Sequence, residues 1–181
     1  MIVGFAGRIA SGKSAVSRAV ADHYAVDRVS FGDAVRTEAR RRGLGDSRAT
    51  LQDLGEELVG AGWDAFCALV IGQVEWDGRS SLVVDGVRHL AAVDALRRIA
   101  APASFFLAFI DTPWERRAKW LAERGVSGSS AAAADHHRNE SELEDLRSQA
   151  NLVVANNADL DRVVSVVVTS LDRAGGLGGT A

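Results

Sequence analysis

The residues best suited to chemistry form one short string near the start of the chain. GRIASGKS, residues 7–14, fits G-x-x-x-x-G-K-[ST] and stands between an apolar run and an amphipathic stretch. Glycines let such a loop bring backbone N–H groups close to phosphate oxygens, and a following helix points its positive end there. The string predicts a phosphate-binding loop for ATP, in which Lys13 neutralises the β and γ phosphates and Ser14 ligates Mg²⁺. The nucleotide is expected to contact Gly7, Ala10, Ser11, Gly12, Lys13, Ser14 and Ala15.

A carboxylate and an arginine follow a later apolar run. SLVV leads into DGVR, which predicts that Asp85 and Arg88 lie at the C-terminal edge of a sheet, where open α/β sheets bind ligands. A carboxylate there can hold Mg²⁺ directly or through water, and an arginine can bridge the transferring and accepting phosphates. We therefore interpret Asp85 as a catalytic and metal-binding residue and Arg88 as a catalytic residue. A helix cap for Asp85 and a surface salt bridge for Arg88 are the alternatives.

A second arginine stands where an acceptor would need it. VSFGDAVR ends a strand at Ser30, turns through Gly32 and Asp33, and sets Arg36 on the first turn of a helix. A guanidinium can bind two oxygens of a monophosphate in parallel, so Arg36 is a candidate acceptor ligand. The arginines at 40–42 are interpreted as a solvated face.

A flexible segment bracketed by cations follows the apolar run SFFLAFI. DTPWERRAKWLAERG brings Arg124 up to GVSGSSAAAA, residues 125–134, and Arg138 stands beyond it. Phosphoryl transfer requires cations that close over the transferring group and exclude water. We predict a lid at about residues 125–138 with Arg124 as a catalytic residue. A plain surface loop is the alternative.

The elements that must position these residues alternate along the chain. Strands are predicted at Ile2–Ala6, 26–30, 82–84, 104–110 and Leu152–Ala155. Helices are predicted at Lys13–Tyr24, 33–42, 49–60, 63–75, 90–99, 114–124 and 159–173. This order predicts a three-layer α/β fold, with a mainly parallel five-stranded sheet and helices on both faces. Residues 1–174 should form one domain with an acceptor-binding segment at about 31–76, and residues 175–181 a flexible tail.

Composition excludes several classes of protein. The 181 residues are 47% hydrophobic and 25% charged with a net charge of −3, which is typical of a soluble globular protein and does not suggest nucleic-acid binding. Cys67 is the single cysteine, which fits a reducing compartment. No apolar run approaches the roughly 20 residues of a membrane span. We expect a cytoplasmic protein, a monomer or homodimer, that does not contact membranes.

Several strings resemble the P-loop nucleoside monophosphate kinase superfamily, especially phage-type deoxynucleoside monophosphate kinases, with adenylate kinase and dephospho-CoA kinase relatives. They are GRIASGKS, RATLQDLGEELVGAGWDAF at residues 48–66, VVDGVR, HHRNESE and ANLVVANNADLDRV. VVDGVR is similar to the Asp-Gly-x-x-Arg of adenylate kinases. The resemblance implies ATP and Mg²⁺ as cofactors and a nucleoside or deoxynucleoside monophosphate as the acceptor.

The resemblance also implies roles for further residues. Asn156 and Asn157 would border the base of ATP, and Trp120 stands where adenylate kinases usually have an arginine stacked on adenine. The residues implied at the acceptor are Phe31, Asp33, Arg36, Gln52, Arg88 and Arg138. Phe31 replaces the usual threonine of adenylate kinases, which leaves the acceptor open.

Two other interpretations remain. The chain could phosphorylate a different small molecule, although dephospho-CoA kinase is disfavoured because SFGDAVR replaces its Asp-Ala-Asp segment. It could instead be a regulatory GTPase, since NNAD at residues 156–159 is superficially similar to the guanine-reading Asn-Lys-x-Asp. Asn157 replaces the lysine of that motif, and we find no convincing switch Asp-x-x-Gly before it, so a kinase is favoured.

Overall fold

The computed structural model describes residues 1–125 and 140–177. The strands are β1 (Ile2–Ala6), β2 (Asp27–Ser30), β3 (Leu82–Val87), β4 (Phe105–Asp111) and β5 (Leu152–Ala155). The helices are α1 (Lys13–Tyr24), α2 (Phe31–Arg41), α3 (Arg48–Gly60), α4 (Trp63–Ile71), α5 (Leu90–Ala100), α6 (Trp114–Glu123), α7 (Glu140–Ser148) and α8 (Leu160–Arg173).

The five strands form one parallel sheet in the order β2-β3-β1-β4-β5. The predicted α/β fold with a parallel five-stranded sheet is confirmed. Because every strand of a parallel sheet ends at the same edge, the loop after β1 lies between the ends of β3 and β4. The sheet order therefore brings segments separated by about a hundred residues to one edge.

Helices cover both faces of the sheet, as predicted. Val3 and Phe5 of β1 pack with α1 and α8, whereas Ile2 and Ala6 pack with α2, α4, α5 and α7 on the opposite face. Successive side chains of a strand point to opposite faces, so each central strand supplies both apolar cores. Burial of these two cores holds the sheet edge rigid beneath the loops.

The structure departs from the sequence-based predictions in several elements. β3 continues to Val87 instead of ending at 84, because its register with β1 shifts at Phe5 and Gly86 adopts φ +89°. Asp85 consequently lies inside a strand. Helix α4 stops at Ile71 rather than 75, and α7 was not predicted.

The end of the chain also differs from expectation. Leu177 lies in the predicted flexible tail, yet its side chain is fully buried in the core beside Leu171. The packed region thus extends at least to Leu177, beyond the predicted boundary at 174. Of the helices within residues 1–125 and 140–177, none combines the length and the apolar character needed to cross a membrane.

Candidate active site

The loop between β1 and α1 requires its two signature glycines. Gly7 has φ +146°, and a Cβ there would lie 2.6 Å from the carbonyl oxygen of Ile110. Gly12 has φ +80°, and a Cβ there would lie 2.7 Å from Nδ2 of Asn156. Both the backbone conformation and the lack of space exclude a side chain at these positions. Ala10 adopts φ +57°, a conformation that an L-residue adopts at some cost.

Two side chains from the ends of neighbouring strands hold this loop. The carbonyl oxygen of Ser11 accepts a hydrogen bond from Oγ1 of Thr112 at 2.7 Å and another from Nδ2 of Asn156 at 2.9 Å. Thr112 follows β4 directly, and Asn156 follows β5. All three residues are buried, so these bonds are shielded from water. The loop is therefore preorganised before a nucleotide arrives.

The structure brings the four predicted catalytic residues together. Lys13 is only 7% exposed, and burial is the main reason why its pKa falls from 10.5 to about 8. The positive charge of Arg88 lowers the pKa further, Asp85 raises it, and Arg124 again lowers it. Arg88 and Arg124 thus lie near Lys13, and Asp85 lies near both Lys13 and Arg88. A site with this excess of positive charge attracts a polyanion.

Arg88 is an exposed residue, yet its pKa is lowered, and desolvation of the guanidinium is the main cause. Asp85 raises the pKa of Arg88, and Arg48, the first residue of α3, lowers it. Arg48 is therefore a further cation near Arg88.

Asp85 has the features of a residue that holds a cation. It is 3% exposed, and Oδ2 accepts a hydrogen bond from Arg28. Within the described part of the chain, Oδ1 is buried without a hydrogen-bond partner. A buried carboxylate oxygen left in this state is costly, and a cation or its bound water would satisfy it. With the hydroxyl of Ser14 at the exposed start of α1, the residues fit Mg²⁺.

A pocket of about 290 Å³ opens beside the loop. The guanidinium of Arg116 lies 5.2 Å from the centre of the Trp120 ring, and its Nη2 donates to the carbonyl oxygen of Ala158 at 3.0 Å. Flat aromatic and backbone surfaces of this kind suit a planar base. Asn157 is exposed and does not line the pocket. The lining residues are Gly12, Ala15, Arg116, Trp120, Glu123, Arg124, Asn156, Ala158, Asp159 and Leu160.

The predicted acceptor residues differ in burial, and one of them lies outside the described residues. Arg36 lies on the second turn of α2 and not on the first, because the helix begins at Phe31. Its Nη1 donates to Oδ1 of Asp33 at 2.7 Å, and both side chains are more than half exposed. Phe31 is largely buried and meets Phe66 edge-on, with ring centres 5.2 Å apart. Gln52 is exposed and donates to Glu56 on the next turn of α3. Arg138 and all but Gly125 of the predicted lid lie outside the described residues.

Comparison with known proteins identifies the family. The sequence profile of the AAA domain family matches residues 6–138. A UPF0200 protein of Methanothrix thermoacetophila is 40% identical over 127 residues, which cover 70% of this chain and 67% of that protein. The chain belongs to the UPF0200 family.

Solved structures with the same fold include several kinases. Shikimate kinase from Aquifex aeolicus has a TM-score of 0.59 and 20% identity, with 99% of this chain and 100% of that chain covered. The APS kinase CysC of Mycobacterium tuberculosis has a TM-score of 0.60 and 18% identity, with 94% and 96% covered. At these identities the likeness establishes the fold alone, and the predicted three-layer P-loop fold is confirmed.

Two residues of this UPF0200 chain that shape the site were not found from the sequence. Arg28 contacts Asp85, and Thr112 holds the loop. Thr112 carried a weak signal, since it directly follows an apolar strand. Arg28 resembles an ordinary surface arginine in sequence, and only its neighbours in space distinguish it. Arg48 begins the string at residues 48–66 that resembles a substrate-side segment, and the structure adds that it is a cation near Arg88.

Proposed function

We propose that this UPF0200 protein is an ATP-dependent phosphotransferase that moves the γ-phosphoryl group of ATP to a nucleoside or deoxynucleoside monophosphate. The observation that carries the proposal is the convergence of Lys13, Arg88 and Arg124 at the mouth of the phosphate loop. Cations that repel one another are typically held together at a site that binds an anion. Phosphoryl transfer spreads negative charge over oxygens of the transferring group, and these cations are arranged to stabilise it.

The donor side supports ATP as the nucleotide. The N–H groups of the loop and of the first turn of α1 would surround the β and γ phosphates. The base would enter the pocket beside Trp120, where the indole offers a stacking surface and Asn156 borders the loop. Arg124 lines the same pocket and also lowers the pKa of Lys13, so it would lie between the base and the phosphates.

Ser14 and Asp85 would hold Mg²⁺, which supplies charge neutralisation to the β and γ phosphates when bound. Lys13 adds a second positive charge from within the loop. Because burial and neighbouring cations depress the pKa of Lys13 in the free protein, a bound triphosphate would raise it again and favour the protonated form. Lys13 is therefore suited to act when the phosphates are in place.

The acceptor side supports a phosphorylated substrate. Arg48 lies close enough to Arg88 to lower its pKa, and Arg36 stands on the second turn of α2. A phosphate dianion would relieve the repulsion between the first two guanidinium groups. The structure of the Mycobacterium tuberculosis neighbour is a complex with AMPPNP and APS, so a protein of this fold can bind these two ligands at the same time.

A turnover panel tests the proposal. ADP formation from MgATP should be measured with nucleoside and deoxynucleoside monophosphates, dephospho-CoA and shikimate. Saturable turnover of a monophosphate supports the proposal. Turnover of only dephospho-CoA or shikimate would show that the acceptor is not a nucleoside monophosphate. Hydrolysis of GTP that no acceptor stimulates would favour the regulatory switch.

Matched lysine variants accompany the panel. Lys13→Ala should lower kcat by roughly 10²-fold or more, as for other lost phosphate-clamping groups. Lys119, the other lysine of the chain, lies exposed on α6, and Lys119→Ala should retain wild-type turnover. Equal turnover by the two variants would exclude the phosphate loop as the site of reaction.

A further inference from the structure

A partly buried arginine links the two residues that would hold Mg²⁺. The side chain of Arg28 is 16% exposed, and its Nη2 donates to Oδ2 of Asp85. Its Nε donates to Oγ of Ser17 at 2.9 Å, and that hydroxyl donates to the carbonyl oxygen of Ser14 at 3.2 Å. A continuous series of three hydrogen bonds therefore joins Asp85 of β3 to Ser14 of α1.

The sheet register explains how Arg28 reaches both partners. Arg28 of β2 pairs with Val83 of β3, and Asp85 is two residues further along the same face. A long side chain can span this diagonal between neighbouring strands. Helix α1 packs against that face, since Val83 belongs to the same core as Val16. Ser17 is thereby brought to the second donor of the guanidinium.

The bond to Arg28 uses only one oxygen of the Asp85 carboxylate. Oδ2 is engaged, whereas Oδ1 is buried and has no hydrogen-bond partner among the described residues. A guanidinium presents its donors in a rigid plane, so the bond to Ser17 of α1 sets the direction from which Arg28 contacts Oδ2 of Asp85. Oδ1 is left available for a cation.

We propose that Arg28 is a positioning residue for magnesium. It fixes the Asp85 carboxylate relative to Ser14, so that Oδ1 of Asp85 and the hydroxyl oxygen of Ser14 bind the same Mg²⁺. The inference rests on the proposed function, because it assumes that the nucleotide binds with Mg²⁺. Partners behind metal ligands commonly change metal affinity by about 10–100-fold when they are replaced. The geometry of Arg28, as well as its charge, is what the site requires.

The charge-conserving variant Arg28→Lys separates geometry from charge. Isothermal titration calorimetry with a non-hydrolysable ATP analogue should be run over a series of Mg²⁺ concentrations and again in EDTA. For Arg28→Lys we expect the half-saturating Mg²⁺ concentration to rise about tenfold, with affinity in EDTA changed less than about twofold. A purely electrostatic role predicts a wild-type value for Arg28→Lys and tighter Mg²⁺ binding for Arg28→Gln. Either of those results would overturn the proposal.

A smaller substitution and a matched control complete the test. Ser17→Ala removes one bond of the series with little change in volume, and it should raise the half-saturating Mg²⁺ concentration by about threefold. An unchanged value in Ser17→Ala would overturn the proposal even if the Arg28 variants fail to fold. Arg98 also donates through two nitrogens to one aspartate, Asp64, at the surface, and Arg98→Lys should leave Mg²⁺ binding unchanged.

The wild-type protein distinguishes this inference from the function on which it rests. If wild-type protein binds the analogue equally well with and without Mg²⁺, the proposed phosphotransferase function fails. Wild-type protein can instead bind the analogue only with Mg²⁺. If the Arg28 and Ser17 variants then keep the wild-type half-saturating Mg²⁺ concentration and melting temperature, only the inference about Arg28 fails.

Discussion

Replacing Lys13 with methionine should make the nucleotide-free protein more stable at neutral pH while removing its activity. Burial and the nearby charges of Arg88 and Arg124 outweigh the attraction of Asp85 and lower the pKa of Lys13 from 10.5 to about 8. The folded protein therefore carries, at neutral pH, a charge that its surroundings disfavour. Methionine fills a similar volume without that charge.

The magnitude follows from the pKa difference. Because each tenfold change in an equilibrium corresponds to about 1.4 kcal/mol, a fall from 10.5 to about 8 destabilises the folded state by about 3 kcal/mol at neutral pH. Lys13 Nζ also donates to the carbonyl oxygen of Arg8 over 3.4 Å, a long bond whose loss offsets part of the gain. We expect Lys13→Met to raise the free energy of unfolding by about 1–3 kcal/mol near pH 7.

The effect should depend on pH in a defined direction. The unfolded chain keeps its proton up to pH 10.5, whereas folded Lys13 loses it near pH 8. Between these values the unfolded state binds more protons, so the Lys13 contribution to wild-type stability rises with pH. The penalty is fully present below about pH 8 and disappears towards pH 10.5. The advantage of Lys13→Met should therefore shrink across this window.

Urea unfolding of wild type, Lys13→Met and Lys119→Met near pH 7 and near pH 9.5 measures the effect. Differences from wild type remove the contribution of other titrating groups. Exposed Lys119 is the control, and its substitution should change stability by less than about 0.5 kcal/mol at both pH values. The reasoning is refuted if Lys13→Met is less stable than wild type near pH 7, or if its advantage is equal at the two pH values.

Three other substitutions test separate parts of the site. Arg36→Ala should raise KM for the acceptor by roughly tenfold or more in steady-state kinetics, because a charge-assisted contact is worth about 1.5–3 kcal/mol; an equal rise for ATP would remove Arg36 from the acceptor site. Gly12→Ala should weaken calorimetric binding of an ATP analogue at least tenfold, since the new Cβ would lie 2.7 Å from Asn156 Nδ2, and unchanged affinity would contradict the loop geometry. Trp120→Ala should weaken binding of an adenine nucleotide by roughly tenfold, because stacking of a base on an aromatic ring is worth about 1–3 kcal/mol, while binding of inorganic triphosphate stays constant. Equal weakening of both ligands would place the base elsewhere.

Much of this protein could be predicted from local sequence patterns. The alternation of apolar runs and amphipathic stretches predicted all five strands and the parallel sheet, since each pattern depends only on neighbouring residues. The phosphate loop could also be predicted, because the residues that define its motif are eight consecutive positions in the sequence. Asp85 and Arg88 were predicted as site residues because they follow an apolar run, and the structure places Asp85 inside β3 and Arg88 directly after it.

Other predictions failed where packing overrides local pattern. Strand β3 continues past Asp85 because a register shift and the positive φ of Gly86 accommodate a bulge, which propensity does not reveal. Leu177 stands among glycines that predict a flexible end, yet it fills a space in the core beside Leu171. Both outcomes depend on contacts with residues far away in the chain.

The sequence by itself determined the class of fold, the glycine-rich loop and the cations that the proposed phosphoryl transfer would use. Only the tertiary structure decided how these groups are held. It set Asn156 and Thr112 against one loop carbonyl, brought Arg124 towards Lys13, and made Arg28 the partner of Asp85. The strand order β2-β3-β1-β4-β5 creates these contacts, and it arises from burying two cores at once. A hydrogen bond between residues 57 positions apart produces no periodic pattern in the sequence, because an arginine or an aspartate can form hydrogen bonds with many other residues.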